Sequence, residues 1–480
     1  MPAATGVLVP RIGLEIHAEL ATDSKVFCSC STRPLAPPNS QTCPVCLGLP
    51  GTLPVVNRKA VEYALRVALA LQCEISVPAY FERKNYYYPD LPKNYQISQK
   101  RRPFGTGGYL EIPLDGTTKR VGITDVHLEE DTGKLLHPEA GGQESLIDYN
   151  RSGVPLLEIV GEPDLDSVDE VMAYMTAMRA VLLYLGVSEA KMEEGQLRFE
   201  ANVSVAPPGA PMGNRVEMKN LNSFRAVQRS LEYEIARQRE VIADGGTVAR
   251  ETRLWDDERG VTEAMRSKEE AHDYRYFPEP DLVPVVFDAA WLARARAELP
   301  ELPLARRRRF LTQYALPDYD AGVLTADRAL ADFFEETVRL HDDPKAVSNW
   351  TMGELLRLLN DRGLEPARNP LTPRQLAGLL DLVARKVINT KVAKAVFEEM
   401  FGTERLPADI VSEKGLTQIS DTSELEAIAD AVIAANPQVA ADYRGGKEKS
   451  LGFLIGQVMR QSQGRANPQL AGDILRRKLQ

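Results

Sequence analysis

Alternating apolar and polar positions dominate the first 295 residues of this 480-residue chain. Helical periodicity interrupts the alternation at 57–71, 167–186 and 223–246, where Ser167 and Ser223 are the expected N-caps and Gly186 and Gly245 the expected ends. Hairpin-like strands mixed with a few helices predict an α+β domain built on an antiparallel sheet. The segments whose period of two and turn-forming flanks predict β-strands are GGYLEIPLDG, KRVGITDVHLEED, GQESLIDYN, GVPLLEIVGEPD and QLRFEANVSVAP.

The periodicity changes after a group of prolines that ends at Pro284. Apolar positions then recur with helical spacing to about residue 405, and the segment FGTERLPADIV interrupts them before a short final region. We therefore expect three domains, which comprise residues 1–295, 296–408 and 409–480, and we expect the second of them to be all-helical.

The final region is basic within an acidic protein. A formal net charge of −10 excludes a surface that is uniformly charged for nucleic-acid binding. A local nucleic-acid footprint and an ordinary helix surface with unmatched cations explain the basic end equally well. Against only Glu448 and Asp473, residues 443–480 carry eight cations, which are Arg444, Lys447, Lys449, Arg460, Arg465, Arg476, Arg477 and Lys478.

The composition is that of an ordinary globular protein, with 44% hydrophobic and 26% charged residues. No apolar run approaches the ~20 residues needed to cross a bilayer. The N-terminus MPAATGVLVPRIG also lacks the charged and apolar regions of a signal peptide. We expect a cytoplasmic protein without membrane contact.

Four of the five cysteines lie close together, in the segment CSCSTRPLAPPNSQTCPVC. The spacing of Cys28, Cys30, Cys43 and Cys46 can deliver four thiolates to one tetrahedral ion, which favours structural Zn²⁺. Disulfide pairing is the alternative, although the cytosol keeps thiols reduced. Cys73 ends an apolar helical run and is expected to be a buried, small apolar residue.

Polar groups recur on one face of several predicted strands, whose other face is apolar. Solvated strand faces are the ordinary explanation, but several in one domain suggest a polar concavity. Carboxylates with a single imidazole favour Mg²⁺ or Mn²⁺. The residues that share such faces are Glu15, His17 and Glu19 in RIGLEIHAEL, Asp125, His127 and Glu129, and Arg198, Glu200, Asn202 and Ser204.

The segment FERKNYYYPDLPKNYQISQ, residues 81–99, combines cations, tyrosines and prolines. Cations for phosphate and tyrosines for base stacking would suit a nucleotide or the 3′ end of a tRNA. A tyrosine- and proline-rich packing loop is the alternative. The chain contains no G-x-G-x-x-G and no P-loop motif, so neither of these nucleotide sites is indicated.

Several long segments in the same order resemble the B subunits of tRNA-dependent amidotransferases, the aspartyl/glutamyl-tRNA amidotransferases of the GatCAB type. The resemblance covers the whole chain and implies a cradle domain, a helical domain and a small helical tail similar to YqeY proteins. It is carried by GLEIHAEL, CPVCLGLPGTLPVVN, RKNYYYPDLPKNYQISQ, HLEEDTGK, DYNRSGVPLLEIV, MKNLNSF, RSKEEAHDYRYFPEPDL and FLIGQVMRQSQGRANPQ.

The resemblance also implies a reaction. Proteins of this family bind tRNA mischarged with Glu or Asp and use ATP to phosphorylate the side-chain carboxylate. Ammonia from the A subunit then displaces phosphate, which yields Gln-tRNA(Gln) or Asn-tRNA(Asn). The implied enzyme is an ATP-dependent carbon–nitrogen ligase with glutamine as amido donor. Its implied partners are the A and C subunits, the mischarged tRNA and the non-discriminating aminoacyl-tRNA synthetase.

Matching positions imply roles for particular residues. The resemblance assigns Glu15, His17 and Glu130 as Mg²⁺ ligands and the four clustered cysteines as Zn²⁺ ligands. The period of two instead places Glu129 on the face of His127; the resemblance favours Glu130, because a bulge or strand end can reset the alternation. Glu19 has no matching role and is expected to be a solvated or outer carboxylate.

The resemblance further assigns Lys84, Tyr86, Ser152 and Glu130 to the catalytic or substrate-binding machinery. Ser152 stands where the family pattern has Thr, which preserves the hydroxyl group. Glu200 stands where the pattern has Asp, which lengthens a possible ligand by one methylene. The sequence does not indicate which residues bind ATP.

Two other functions compete with this interpretation. The archaeal-type E subunit is related, but it carries an inserted domain between cradle and helices, whereas this chain passes near residue 280 directly into its helical region. A zinc-stabilised tRNA-binding scaffold without chemistry of its own is the second alternative.

Cys73 has no candidate base nearby in the sequence, so we expect no glutaminase activity in the isolated chain.

Overall fold

The computed structural model describes residues 7–114, 116–136, 144–265, 274–418, 422–462 and 464–480. The chain divides into two compact units, Met1–Arg306 and Arg307–Gln480. The strands of the first unit are β1 Val9–Glu19, β2 Glu74–Ile75, β3 Glu82–Asn85, β4 Tyr95–Ser98, β5 Gly105–Leu114, β6 Thr117–Glu130, β7 Lys134–Leu136, β8 Leu146–Asp148, β9 Pro155–Gly161, β10 Leu197–Ala206, β11 Val216–Lys219, β12 Glu251–Asp256, β13 Val261–Ala264 and β14 Phe277–Pro278.

Nine of these strands form one sheet in the order β13-β12-β11-β10-β1-β9-β6-β5-β2. Neighbouring strands are antiparallel except β11 and β12, which run parallel, so the sheet is mixed. Strands β14, β3 and β4 form a second sheet, and β7 and β8 form a hairpin-like pair. The predicted α+β architecture is confirmed, with strands β5, β6, β8, β9 and β10 in the five predicted segments.

Helices α1 Arg58–Ala70, α2 Val168–Leu185 and α3 Phe224–Ala243 cover the apolar face of the large sheet, and helix α4 Ala289–Ala297 packs against α1. Ser167 and Ser223 cap α2 and α3 through their hydroxyl groups, as predicted. Gly186 ends α2 at a left-handed φ of 63°, which glycine adopts without strain. The even-numbered residues of β1, such as Ile12, Leu14 and Ile16, are buried in this core, which leaves its odd-numbered polar residues on the other face.

The second unit is helical throughout its described residues. Phe310, Phe334 and Phe397 lie in one apolar core, and a separate core forms around Leu454 and Leu475. No helix among the described residues is long and apolar enough to span a membrane. The division at 295/296 and 408/409 stays a prediction. The α-helices that follow α4 are α5 Pro303–Gln313, α6 Asp318–Thr325, α7 Arg328–Leu340, α8 Pro344–Trp350, α9 Leu356–Asp361, α10 Pro373–Ala384, α11 Thr390–Met400, α12 Pro407–Glu413, α13 Thr422–Ala435, α14 Pro437–Arg444, α15 Lys449–Gln461 and α16 Pro468–Leu479.

Candidate active site and metal centres

A row of charged side chains crosses four adjacent strands of the large sheet. His17 on β1 is directly opposite Arg198 on β10 and Glu158 on β9, and Glu158 is directly opposite His127 on β6. Opposed residues in a sheet project to the same side, so the register places these four side chains on the polar face.

Glu158 bridges the two histidines. Its Oε2 lies 3.4 Å from His17 Nε2 and 3.1 Å from His127 Nε2, and Asp125 Oδ1 lies 2.7 Å from His127 Nδ1. Burial disfavours both imidazolium ions, but the surrounding carboxylates raise the pKa of His17 and raise that of His127 to about 10. Burial also disfavours the Glu158 charge, yet His127 and His17 hold its pKa well below the usual value. His17, His127 and Glu158 therefore favour one another's charged forms.

Glu129 completes this cluster. Its carboxylate is 3.9 Å from His17 and 3.8 Å from His127, and it accepts a hydrogen bond from Ser98 Oγ at 3.2 Å. Burial and the neighbouring Glu158 raise its pKa. Donor atoms of His17, Glu129 and Glu158 lie within 4.8 Å of one another, a spacing that could hold a metal ion.

Lys84 on β3 faces the same cluster from the second sheet. Its Nζ lies 5.1 Å from the centre of the Tyr274 ring and 5.7 Å from that of Tyr86. Burial opposes the ammonium charge, but Glu129 and Glu158 are among the groups that raise its pKa. Lys84 is therefore a fixed cation in an aromatic enclosure beside two carboxylates.

Tyr86 belongs to an edge-to-face chain of tyrosines. Its ring centre lies 5.8 Å from that of Tyr274 and 6.2 Å from that of Tyr88, and Tyr274 lies 6.1 Å from Tyr276. The Tyr86 hydroxyl donates to Gln96 Oε1 at 3.4 Å. Burial raises the pKa of Tyr86, so its phenol is neutral and can donate a hydrogen bond.

Glu15 lies in a neighbouring cluster of carboxylates. Its candidate ligand atom is within 4.8 Å of those of Glu200 and Glu217. Burial and the nearby Glu158 and Glu200 raise the pKa of Glu15, and Asn202 Nδ2 donates to it at 2.9 Å. Among the described residues, these three glutamates form a candidate ligand set separate from that of His17.

Glu130 points away from both clusters. It shares the parity of the core residue Leu128, pairs with the ammonium group of Lys93 and accepts a hydrogen bond from the Ile97 N–H at 2.8 Å. The register shift in β6 lies between Ile123 and Asp125 and not at the strand end, so alternation continues through Glu130. The structure thus brings Glu129, and not Glu130, to His17.

Glu19 lies beside a different group of charges. Arg198 Nη2 donates to Asp131 at 2.8 Å, and Arg151 lies 3.4 Å from the same carboxylate. Burial and Asp131 raise the pKa of Glu19 to about 7. Asp131 and the two arginines connect this group to the turn that carries Ser152. Ser152 is buried, and its backbone N–H donates to Tyr149 O at 3.1 Å.

The four clustered cysteines converge. Their Sγ atoms lie within 4.8 Å of one another, and none is in a disulfide. A hydrogen bond from the Cys28 thiol lowers the pKa of Cys46, which favours the thiolate form that a metal needs. The donor set fits the tetrahedral thiolate coordination of structural Zn²⁺. Cys73 is buried, as predicted.

Part of the basic tail is neutralised within its own unit. Lys478 pairs with Asp430 at 2.7 Å and Arg477 with Glu426, both acidic residues on α13. Lys447 pairs with Asp442 at 3.2 Å. The three acidic partners precede residue 443, so they are absent from the charge balance of residues 443–480. These ion pairs are typical of an ordinary helix surface.

Comparisons with known proteins identify the family. Residues 10–293 match the model described as GatB/GatE catalytic domain, and residues 332–479 match the model described as GatB domain. The chain belongs to the GatB family of amidotransferase B subunits. It is 59% identical to the B subunit of the aspartyl/glutamyl-tRNA(Asn/Gln) amidotransferase of Moorella thermoacetica, over 98% of this chain and 99% of that protein. The B subunits of the same name from Carboxydothermus hydrogenoformans and Geotalea daltonii are 56% and 54% identical, each over 98% of both chains.

These full-length relatives are B subunits, so the resemblance inferred from the sequence motifs is confirmed and the E-subunit alternative is disfavoured. One of those motifs, RSKEEAHDYRYFPEPDL, lies partly outside the described residues, at 266–273. The structure adds Glu158, which sequence reasoning missed. It is the single charge in a short apolar strand, and only the register opposite two histidines reveals its position.

Proposed function

We propose that the chain is the B subunit of a tRNA-dependent amidotransferase. The subunit phosphorylates the side-chain carboxylate of Glu-tRNA(Gln) or Asp-tRNA(Asn) with ATP, and ammonia then converts the activated carboxylate into an amide. Family membership supports the reaction. The observation that carries the site is the row of Arg198, His17, Glu158 and His127 on one sheet face, with the half-buried Lys84 facing it from the second sheet.

A divalent metal fits this site. We propose that His17, Glu129 and Glu158 hold Mg²⁺, because their donor atoms converge and because the cation would replace the positive charge that the carboxylates favour on His17 when no metal is bound. Bound there, the ion would supply electrostatic stabilisation of a transferring phosphoryl group. Glu15, with Glu200 and Glu217, is proposed to contribute to the same face as a neighbouring carboxylate set.

The reaction needs positive charge and hydrogen-bond donors at fixed positions. A carboxylate oxygen of the aminoacyl side chain attacks the γ-phosphorus of ATP and ADP leaves. Ammonia then attacks the carbonyl carbon of the acyl phosphate, phosphate leaves and a proton is lost, which gives the amide. Lys84, held by burial and by Tyr274, is proposed to stabilise the negative charge of the phosphoryl group. The neutral Tyr86 phenol and the Ser152 hydroxyl are proposed to orient the substrate.

Several components act outside this chain. Ammonia is proposed to come from the A subunit, with the C subunit as the third member of the complex, and the bound metals are proposed to be Mg²⁺ in the cradle and Zn²⁺ at the four cysteines. A cognate synthetase that makes the mischarged tRNA is a further proposed partner. The proposed cellular location is the cytoplasm, where tRNA charging occurs.

Reconstitution tests the proposal against the scaffold alternative. The chain is combined with the A and C subunits, and each mischarged tRNA is assayed for ATP-dependent amidation from free ammonia. If the chain is the catalytic subunit, a Lys84→Met variant should lose amidation while still binding the tRNA. A scaffold would need none of the clustered charges, so the same variant would keep its activity. Full amidation by this variant would favour the scaffold function.

A further inference from the structure

The four-cysteine segment is fastened to the turn that carries Ser152. Asn39, between the two cysteine pairs, donates through Nδ2 to Ile147 O at 2.9 Å and accepts from the Tyr149 N–H at 2.8 Å. Its own N–H donates to Asp148 Oδ1 at 2.9 Å. Asn150 makes two further hydrogen bonds back to this segment, at 2.7 and 2.8 Å. The loop between the cysteines therefore runs alongside residues 147–150.

Lys25 forms a second connection between the four-cysteine segment and this turn. It is completely buried, and its Nζ lies 3.6 Å from Cys46 Sγ and donates to Tyr149 O at 3.3 Å. The Gly153 carbonyl accepts from the neighbouring Val26 N–H at 2.9 Å. A Cβ on Gly153, whose φ is +86°, would lie 3.4 Å from the Lys25 stem, so the turn lies directly on this side chain.

A buried ammonium is costly unless charge and hydrogen bonds compensate it. Four thiolates around one Zn²⁺ carry excess negative charge, which a buried cation beside Cys46 offsets. Such outer hydrogen bonds to metal ligands strongly affect metal affinity. The second Lys25 hydrogen bond goes to Tyr149, three residues before Ser152, so one side chain joins the metal site to this turn.

We infer that Lys25 is a positioning residue that couples the four-cysteine metal site to the turn presenting Ser152. The inference rests on the proposed function only for the substrate-side role of Ser152. The coupling itself is measured without tRNA or ATP, so its failure is distinguishable from failure of the proposed function.

The test compares Lys25→Met with Lys59→Met, an exposed lysine of α1, in the full chain loaded with zinc. Zinc release to a chromogenic chelator should be at least about tenfold faster in Lys25→Met, as for other outer partners of metal ligands, and unchanged in the control. Hydrogen exchange should accelerate at the amides of 147–153, and amides in β10 should keep their protection.

Two results from the Lys25→Met variant would overturn the inference. One is zinc release from Lys25→Met at the control rate. The other is faster exchange spread evenly over the first unit, since that is what loss of general packing produces. Wild-type protein stripped of zinc provides a measurement that needs no variant: exchange must rise at 147–153 before it rises in β10, and equal protection of 147–153 with and without zinc would contradict the coupling.

Discussion

Adjacent glutamates at the end of β6 offer a paired test, because they point to opposite sides of the sheet. Glu129 faces His17 and His127, whereas Glu130 pairs with Lys93, whose side chain is only 7% exposed. Changing each to glutamine preserves size and removes one charge. The structure predicts opposite consequences for stability and for activity.

Of the two variants, Glu130→Gln is expected to be the less stable. This variant leaves the Lys93 ammonium buried without its partner, which costs about 3–5 kcal/mol. At about 2–4 °C per kcal/mol for domains somewhat smaller than this unit, the thermal midpoint should fall by at least about 5 °C. Glu129→Gln should cost no more than about 1 kcal/mol, the value of an ordinary hydrogen bond, because burial and Glu158 already oppose its charge.

Of the two variants, Glu129→Gln is expected to be the less active. Removing a proposed metal ligand should raise the Mg²⁺ concentration needed for amidation by at least about tenfold. Thermal unfolding of the isolated, zinc-loaded chain and Mg²⁺ titration of the reconstituted complex measure the two effects. The reasoning is refuted if Glu130→Gln abolishes the Mg²⁺ response at an unchanged midpoint while Glu129→Gln keeps full activity; Glu130 would then be the ligand that the family resemblance implies.

Three further predictions concern other parts of the chain. Lys84→Met should lower amidation by at least about 100-fold while the chain stays folded and binds tRNA, measured beside Lys59→Met; equal activity of the two variants would exclude the proposed role. Burial opposes ionisation of Asp320, but Lys345 and Ser348 outweigh it and lower its pKa. Asp320→Asn should therefore cost about 1–2 kcal/mol at pH 7, and the difference in urea unfolding should shrink as the pH falls below 3.8; an undiminished difference at pH 3 would contradict it. The chain alone should release no glutamate from glutamine, and a steady release would refute this.

Local pattern was sufficient for most elements of the first unit. Alternation and caps predicted the strands and the helices that begin after Ser167 and Ser223, because each depends on neighbours in sequence. The parallel pairing of β11 and β12 was not predicted. It depends on where the chain returns after the long helix α3, which no local pattern encodes.

The candidate site shows the same division. Cysteine spacing and the polar faces of β1 and β6 indicated which side chains could converge. Glu158 was missed because a single glutamate in PLLEIVG has no local signal, and its role arises only from strand order. The position of Glu130 depended on whether the alternation breaks, and the structure places the irregularity upstream, at Ile123/Asp125.

Reconstituted amidation tests the central claim most directly. The chain, combined with A and C subunits, is given free ammonia, ATP, Mg²⁺ and Glu-tRNA(Gln) or Asp-tRNA(Asn), and the amino acid released from the tRNA is identified. The account predicts glutamine or asparagine from at least one tRNA, with one ATP converted to ADP and phosphate for each amide formed. Stable tRNA binding without any amide from either substrate would contradict it.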